Sequence, residues 1–182
     1  VGNSEDGGID VDEDKIYPAC YGENAEHDWI LGVASSNQEN NKSAFSNYGL
    51  QCTDISAPGE NIFSTVYQDD QWLDFKDDYY LNGWSGTSMA VPMVAGAAAL
   101  LKGAYPTLTP AEIKAILQIS VSPLISSGAS KGKVGSGLLN IEKAIESAAY
   151  FVDENEVIAQ SIAKTKTPSY LIAVAQEEGD SS

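Results

Sequence analysis

Basic side chains and histidine are scarce in this sequence of 182 residues. Lys and Arg together number 10 against 26 Asp and Glu, with a single His, which gives a formal net charge of -16 at pH 7. A chain of that charge repels phosphate backbones and anionic membrane surfaces. We therefore expect no nucleic-acid partner, and we interpret the acidity as a solubility property that suits a protein outside the cell or at its surface.

Cysteine is also rare, with only Cys20 and Cys52 present. Two cysteines are too few for a disulfide scaffold, and these two are too far apart for a CxxC metal or redox site. The sequence leaves two alternatives open. One is a single disulfide, which would contribute about 3 to 4 kcal/mol through the unfolded state, and the other is a pair of buried free thiols.

An initiator methionine, a signal-type start and an uninterrupted apolar run of membrane-spanning length are all missing. We expect a chain with no membrane partner whose true beginning lies upstream of Val1. With 43% hydrophobic residues, three Trp and nine Tyr, the chain is long enough to bury one sizeable core. One domain over residues 1–150, followed by a tail or the start of a further segment over 151–182, is the predicted organisation.

Short apolar runs bounded by turn residues predict strands near 29–34, 53–55 and 61–66. An Ala- and Gly-rich apolar stretch over 89–101 predicts a helix that is buried all round and begins close to Ser88. A capping box at 109–112 predicts a second helix ending near residue 120, and apolar residues at helical spacing predict a third after residue 140. Helices on a mainly parallel sheet make an α/β sandwich.

Ser88 stands at the start of this apolar helix, behind Gly86 and a polar loop. In one interpretation Ser88 only caps the helix and Gly86 only serves the turn. In the other, free backbone N–H groups and the positive end of the helix dipole face the group that Ser88 Oγ attacks, where they would stabilise a developing oxyanion. A lone serine at a helix start does not decide between them.

The longer string over residues 86–96, GTSMAVPMVAG, closely resembles the nucleophile motif of the subtilase family of serine proteases, GTSMAxPxVAG. Residues 45–49 resemble the family's FSNYG segment and residues 57–65 its APGxxIxST, in the same order and spacing. The resemblance implies that Ser88 is the nucleophile. Met93 departs from the histidine that is frequent in secreted members, but that residue packs outside the catalytic triad.

The opening residues 1–3, Val-Gly-Asn, resemble the end of the family's AAGN strand, whose asparagine supplies a side-chain N–H to the oxyanion hole. By this match Asn3 is the donor here, whereas the residues alone would favour an Asx turn. Loss of such a donor lowers turnover roughly 10²- to 10³-fold, a figure that was measured on subtilisin itself.

The other two triad residues have no match in this chain. In the family the order is Asp, His, Ser, and the first two motifs precede the AAGN strand. His27 is the only histidine, and Ser88 needs a base, but the surroundings of His27 lack the HGTxVAG pattern, so we interpret it as an exposed loop residue. Asp54 matches a family position without a catalytic role, and we interpret it as structural.

The alternating acids Asp10, Asp12 and Asp14 suggest a calcium loop. Lys15 and Tyr21, however, occupy the positions where a calcium hand has Gly and Glu, so we interpret the segment as a solvated loop. The family often binds calcium at surface loops, but the matched motifs contain no ligand set. We therefore assign no metal or cofactor residue.

Residues 16–19 resemble the segment that helps wall the family's primary specificity pocket, and Ser4, Glu5 and Asp6 directly follow Asn3. One hypothesis is that these acids favour a basic substrate residue before the scissile bond. The alternative is that they are solvated and never touch substrate.

Together these observations predict a partial subtilisin-like three-layer α/β sandwich whose buried central helix starts at Ser88. The implied function is a serine endopeptidase that acts through an acyl-enzyme on peptide substrates. The triad Asp and His would come from upstream in the same domain, so the chain is expected to be inactive alone. A further possibility is a processed fragment that pairs with its own N-terminal half. The alternative is a non-catalytic subtilisin-like module that binds a peptide or another domain.

Overall fold

The computed structural model describes residues 1–5, 7–24, 30–68 and 79–164. Within these residues the chain forms four short strands, three α-helices and two short 3₁₀ helices. In chain order they are a 3₁₀ helix at Ala19–Asn24, β1 at Val33–Ser36, β2 at Ile55–Pro58, β3 at Ile62–Thr65, β4 at Tyr80–Trp84, α1 at Thr87–Ala104, α2 at Pro110–Ile119, a 3₁₀ helix at Gly128–Ser130, and α3 at Ile141–Lys164.

Strands β1 and β2 form a parallel pair on which helix α1 packs. Val33 pairs with Ile55 and Ser36 with Pro58, and all of β1 is buried. Both strands begin later than predicted, about where the apolar runs end. The pair opens at Gly32, whose carbonyl accepts hydrogen bonds from the N–H groups of both Asp54 and Ile55. The predicted strand residue Trp29 lies outside the described residues.

A separate antiparallel pair, β3 and β4, leads the chain back to the start of α1. The sequence predicts β3 but not β4. Most of the side chains of β4 are exposed, and the rings of Phe63 and Tyr80 stack across the pair with centroids 5.7 Å apart. An exposed strand buries no continuous apolar face, so it lacks the hydrophobic signal that marks β1.

Helix α1 packs on β1 and β2 through one face only. Its buried residues are Thr87, Ala90, Val94, Ala97 and Leu101, and most of these join Val33 and Ile55 in the main core. The prediction of burial all round is wrong. Among the described residues nothing covers the rest of the helix surface, where side chains including those of Val91, Met93 and Leu100 remain exposed.

The helix begins at Thr87, which places Pro92 inside α1 and not in its first turn. The missing N–H of Pro92 would otherwise bond to the carbonyl of Ser88, four residues earlier. The Ser88 carbonyl therefore lacks the hydrogen bond that residue 92 of a regular helix would donate.

Helix α1 is also long and apolar enough to cross a membrane by length and composition, with a mean hydropathy of 1.3 over residues 87–104. Core helices of soluble proteins meet the same criteria. Here α1 packs on the sheet and on α2 and α3.

Helix α2 starts as predicted. Thr109 Oγ1 accepts the Glu112 N–H, and the Glu112 carboxylate accepts the Thr109 N–H at 2.7 Å. Helix α3 packs Ala144 and Ala148 into the main core and continues past residue 150, so the predicted domain division falls within a helix. That division stays a prediction.

Cys20 and Cys52 form a disulfide. Together with Val11 the two half-cystines make a second, small core, against which Ile9 and Ile16 pack. The predicted solvated loop is wrong for Asp12, whose carboxylate accepts hydrogen bonds from the backbone N–H groups of residues 50, 51 and 52. The disulfide and Asp12 thus tie residues 11–20 to the segment that enters β2.

Candidate active site

Ser88 is exposed at the second position of α1. The residue that caps the helix is Gly86, so the interpretation of Ser88 as the cap is wrong. The backbone N–H of Ser88 is one of the first four in the helix, so it has no acceptor within the helix. Among the described residues no group forms a hydrogen bond with Ser88 Oγ, so the hydroxyl faces open space at the positive end of the helix dipole.

Asn3 lies beside this turn. Its side-chain oxygen accepts the backbone N–H of Thr87 at 2.9 Å, across 84 positions of sequence. This long-range bond, and not an Asx turn, fixes the carboxamide. Because the oxygen is occupied, the two N–H bonds of Nδ2 are the part of the amide that is available for a ligand, and within the described residues Nδ2 has no acceptor.

Gly59 sets the approach of the turn to the sheet. Its carbonyl accepts the Gly86 N–H at 2.8 Å, and its own N–H donates to the Ser36 carbonyl at the end of β1. A Cβ on Gly59 would lie 2.6 Å from Ser35 Oγ and 2.7 Å from the Gly86 carbonyl oxygen. Only glycine allows the two backbones to come this close.

The segment that carries Asn3 runs antiparallel to residues 45–47. Asn3 and Ser46 form an isolated bridge, Ser4 donates its N–H to the Phe45 carbonyl, and Asn47 donates its N–H to the Gly2 carbonyl. The FSNYG segment therefore holds Asn3 against the turn that presents Ser88.

No base for Ser88 is found among the described residues. His27 lies outside them. Asp54 is structural: its carboxylate accepts the N–H of Gly32 at 2.7 Å, pairs with Lys114 at 3.0 Å and accepts a hydrogen bond from Gln118 at 3.0 Å. These partners hold Asp54 between β1 and α2.

The acidic residues near Asn3 show no ligand set. Glu5 is exposed and Asp6 lies outside the described residues. The Asp10 carboxylate accepts a hydrogen bond from the ammonium group of Lys133. This hydrogen bond raises the pKa of Lys133 above its ordinary value. Among the described residues no group of three or more His, Cys, Asp or Glu side chains is arranged to hold a metal ion.

Comparison with known proteins places this arrangement in a family. A sequence model of the subtilase family matches residues 1–137, which include both Asn3 and Ser88. The chain belongs to the subtilase family. The matched region of this subtilase chain contains β1 to β4, α1 and α2, and it ends before α3.

Several known proteases are similar to it in sequence. Subtilisin Savinase of Lederbergia lenta is 38% identical over 143 residues, which cover 79% of this chain and 43% of that protein. An extracellular protease of Xanthomonas campestris pv. campestris is 34% identical over 120 residues, covering 65% of this chain and 20% of that protein. The subtilase chain therefore spans less than half the length of either relative.

A solved structure agrees. Proteases from Pseudoalteromonas arctica match with a TM-score of 0.62 and 28% identity over 81% of this chain and 41% of that one. The predicted partial subtilisin-like α/β fold is confirmed, with a parallel sheet and helices.

The sequence did not predict that Gly59, Thr87 and Asn47 hold the segments of the site together. Each lies within a motif that resembles the family, yet its role depends on a contact with a segment far away in the chain. The only local signal was a glycine after Ala57-Pro58, where a close backbone approach is one of the usual reasons for glycine.

Proposed function

We propose that this subtilase chain is the nucleophile-bearing part of a serine endopeptidase that works through an acyl-enzyme. The observation that carries the proposal is the hydrogen bond from the Thr87 N–H to the Asn3 side-chain oxygen. It brings a carboxamide donor to the turn that presents Ser88. Together with the Ser88 N–H, which the helix leaves without an acceptor, this makes a two-donor oxyanion site beside an exposed hydroxyl.

In the proposed mechanism, Ser88 Oγ attacks the peptide carbonyl carbon while a base takes the hydroxyl proton. The carbonyl oxygen becomes an oxyanion, which accepts hydrogen bonds from the Ser88 N–H and from Asn3 Nδ2. The same proton then passes to the leaving amine, and the acyl group remains on Ser88 until water releases it.

The base and its orienting carboxylate would come from an N-terminal half of the same domain. Two observations support that partner: the relatives are more than twice as long as the matched region, and the exposed face of α1 is apolar. The groove between α1 and α2 has a volume of about 870 Å³ and is lined mainly by apolar residues. Secretion is proposed on the names of relatives such as the extracellular protease.

The test compares this chain with the full-length protein that contains it. Both are treated with a fluorophosphonate, which labels an activated serine, and assayed on an unstructured polypeptide. We expect labelling and cleavage by the full-length protein, a drop of at least about 10³-fold for its Ser88→Ala variant, and neither activity for this chain alone.

Ser127→Ala is the matched control, because Ser127 is exposed in the loop between α2 and α3 and its hydroxyl makes no capping hydrogen bond. This change should leave cleavage by the full-length protein unaltered. Binding of polypeptide without any cleavage by the full-length protein would instead establish the non-catalytic module. Cleavage by this chain alone would show that it contains its own base.

A further inference from the structure

The side chain of Asn47 is completely buried and joins the two ends of the loop that carries Asn3. Its Nδ2 donates to the Val1 carbonyl at 3.2 Å, and its Oδ1 accepts the Ile9 N–H at 3.0 Å. Both halves of the carboxamide are thus satisfied by main chain, one before Asn3 and the other after it. A buried amide paired in this way fixes its partners firmly, because breaking either bond leaves a desolvated polar group.

Lys42 holds the same loop from its far side. Its ammonium group donates to the carbonyl groups of Gly7, Ser43 and Ser46 at 2.9, 2.9 and 2.6 Å. Burial lowers the pKa of Lys42 from its ordinary value. The Gly7 contact connects the loop to the Ser43–Ser46 turn, which is itself joined to Asn3 through the bridge at Ser46.

Two glycines of the loop lie close to the residues that hold it. Gly2 has a positive φ, and a Cβ there would lie 3.2 Å from Asn47 Nδ2. Gly8 also has a positive φ, and a Cβ there would overlap the Ser46 carbonyl oxygen. The two glycines let the loop ends approach the residues that clamp them.

We propose that Asn47 and Lys42 are positioning residues for the oxyanion donor: they fix the loop so that Asn3 keeps its hydrogen bond with Thr87. The inference rests on the proposed function for its catalytic meaning. Its structural content, the dependence of the Asn3–Thr87 bond on Asn47 and Lys42, is independent of catalysis and can be measured separately.

The first measurement is amide hydrogen exchange of the full-length protein, followed by NMR. In Asn47→Ala we expect the Thr87 amide to exchange at least about tenfold faster, because its acceptor is no longer held, while amides in the middle of α2 keep their rates. Lys42→Met, which removes the ammonium group and its three hydrogen bonds but keeps an apolar side chain of similar length, should give a smaller acceleration at Thr87. If Asn47→Ala does not fold, Lys42→Met carries the test.

The matched control is Asn140→Ala. Asn140 also bonds through both ends of its amide, to Ser122 and Lys143, but at the start of α3. Its loss should leave Thr87 exchange unchanged. Unchanged Thr87 exchange in both loop variants, or equal acceleration of every amide, would overturn the inference.

The second measurement is a double-mutant cycle in the full-length protein. Asn47→Ala should lower kcat about tenfold with little change in KM, because an oxyanion donor acts in the transition state. In an Asn3→Ala background the same change should cost less than about twofold, since the residue through which Asn47 acts is gone.

Fully additive losses would show that Asn47 matters only for general stability. The two measurements also separate the two proposals. Faster Thr87 exchange in a full-length protein that cleaves nothing would leave the positioning role intact and remove the peptidase.

Discussion

At the scale of single residues, Gly59 is a sensitive point of the site although it supplies no group to the proposed chemistry. It lies between Ser35 on β1 and Gly86 at the turn, with no room for a Cβ on either side. We predict that Gly59→Ala lowers the free energy of unfolding by about 1 to 3 kcal/mol, because an overpacked backbone contact must move apart. Urea denaturation measures this loss.

Gly103→Ala is the matched control. Gly103 lies in α1, and a Cβ added there would meet no heavy atom within 4 Å, so its replacement should stabilise the helix by up to about 1 kcal/mol. Equal destabilisation by both changes would mean that the close approach at Gly59 has no special cost. In the full-length protein, Gly59→Ala should also reduce kcat, since the displaced Gly86 carries Thr87 and Ser88 with it.

The sequence predicts roles for Ser88 and Asn3 but not the contacts that hold them. Their motifs are contiguous strings, and a string can be matched without knowledge of the fold. Gly59, Asn47 and Lys42 each act through a contact with a residue more than 25 positions away, and no local periodicity reports such contacts.

At the scale of elements, the disulfide is the main covalent constraint on the described structure. Cys20 and Cys52 are 32 positions apart and close a loop that includes β1. We predict that Cys20→Ala combined with Cys52→Ala lowers the free energy of unfolding by about 3 to 4 kcal/mol, mainly by freeing the unfolded chain. Urea denaturation of the oxidised parent and the variant gives the difference.

Treatment of the parent with a reductant supplies the control, since it removes the bridge without removing the sulfur atoms. It should reproduce most of the loss. A loss in the variant that reduction does not reproduce would assign the effect to packing in the small core around Val11.

The helices were predictable to different degrees, for a physical reason. The start of α2 was correct because a capping box is local, and Thr109 and Glu112 form it within one turn. The burial of α1 was not, because apolar composition indicates that a face is suited to burial but not whether a neighbouring element covers it. Exposed Val91 and Leu100 are the result.

At the scale of the whole molecule, the uncovered face of α1 has a direct consequence. We predict that this chain alone binds a hydrophobic dye such as ANS and associates as its concentration rises, because an apolar patch of this kind favours contact with another surface. Sedimentation velocity across a concentration series checks the association. Val91→Glu together with Ala99→Glu, both exposed in the groove, should suppress it.

Ile119→Glu is the control, because Ile119 is 75% exposed but lies on α2 outside the lining of the groove. It should change association little. A chain that stays monomeric and binds no dye at high concentration would show that the face of α1 is tolerated in water as it stands.

The proline within α1 affects whether this site could be transferred to another protein. Because Pro92 donates nothing to the Ser88 carbonyl, the turn at Ser88 depends on anchors outside the helix, chiefly Asn3 and Gly59. Transplanting residues 86–96 onto a foreign scaffold would therefore transfer the hydroxyl without the contacts that orient it. The segments that contain Asn3 and Gly59 would have to be transplanted together with residues 86–96.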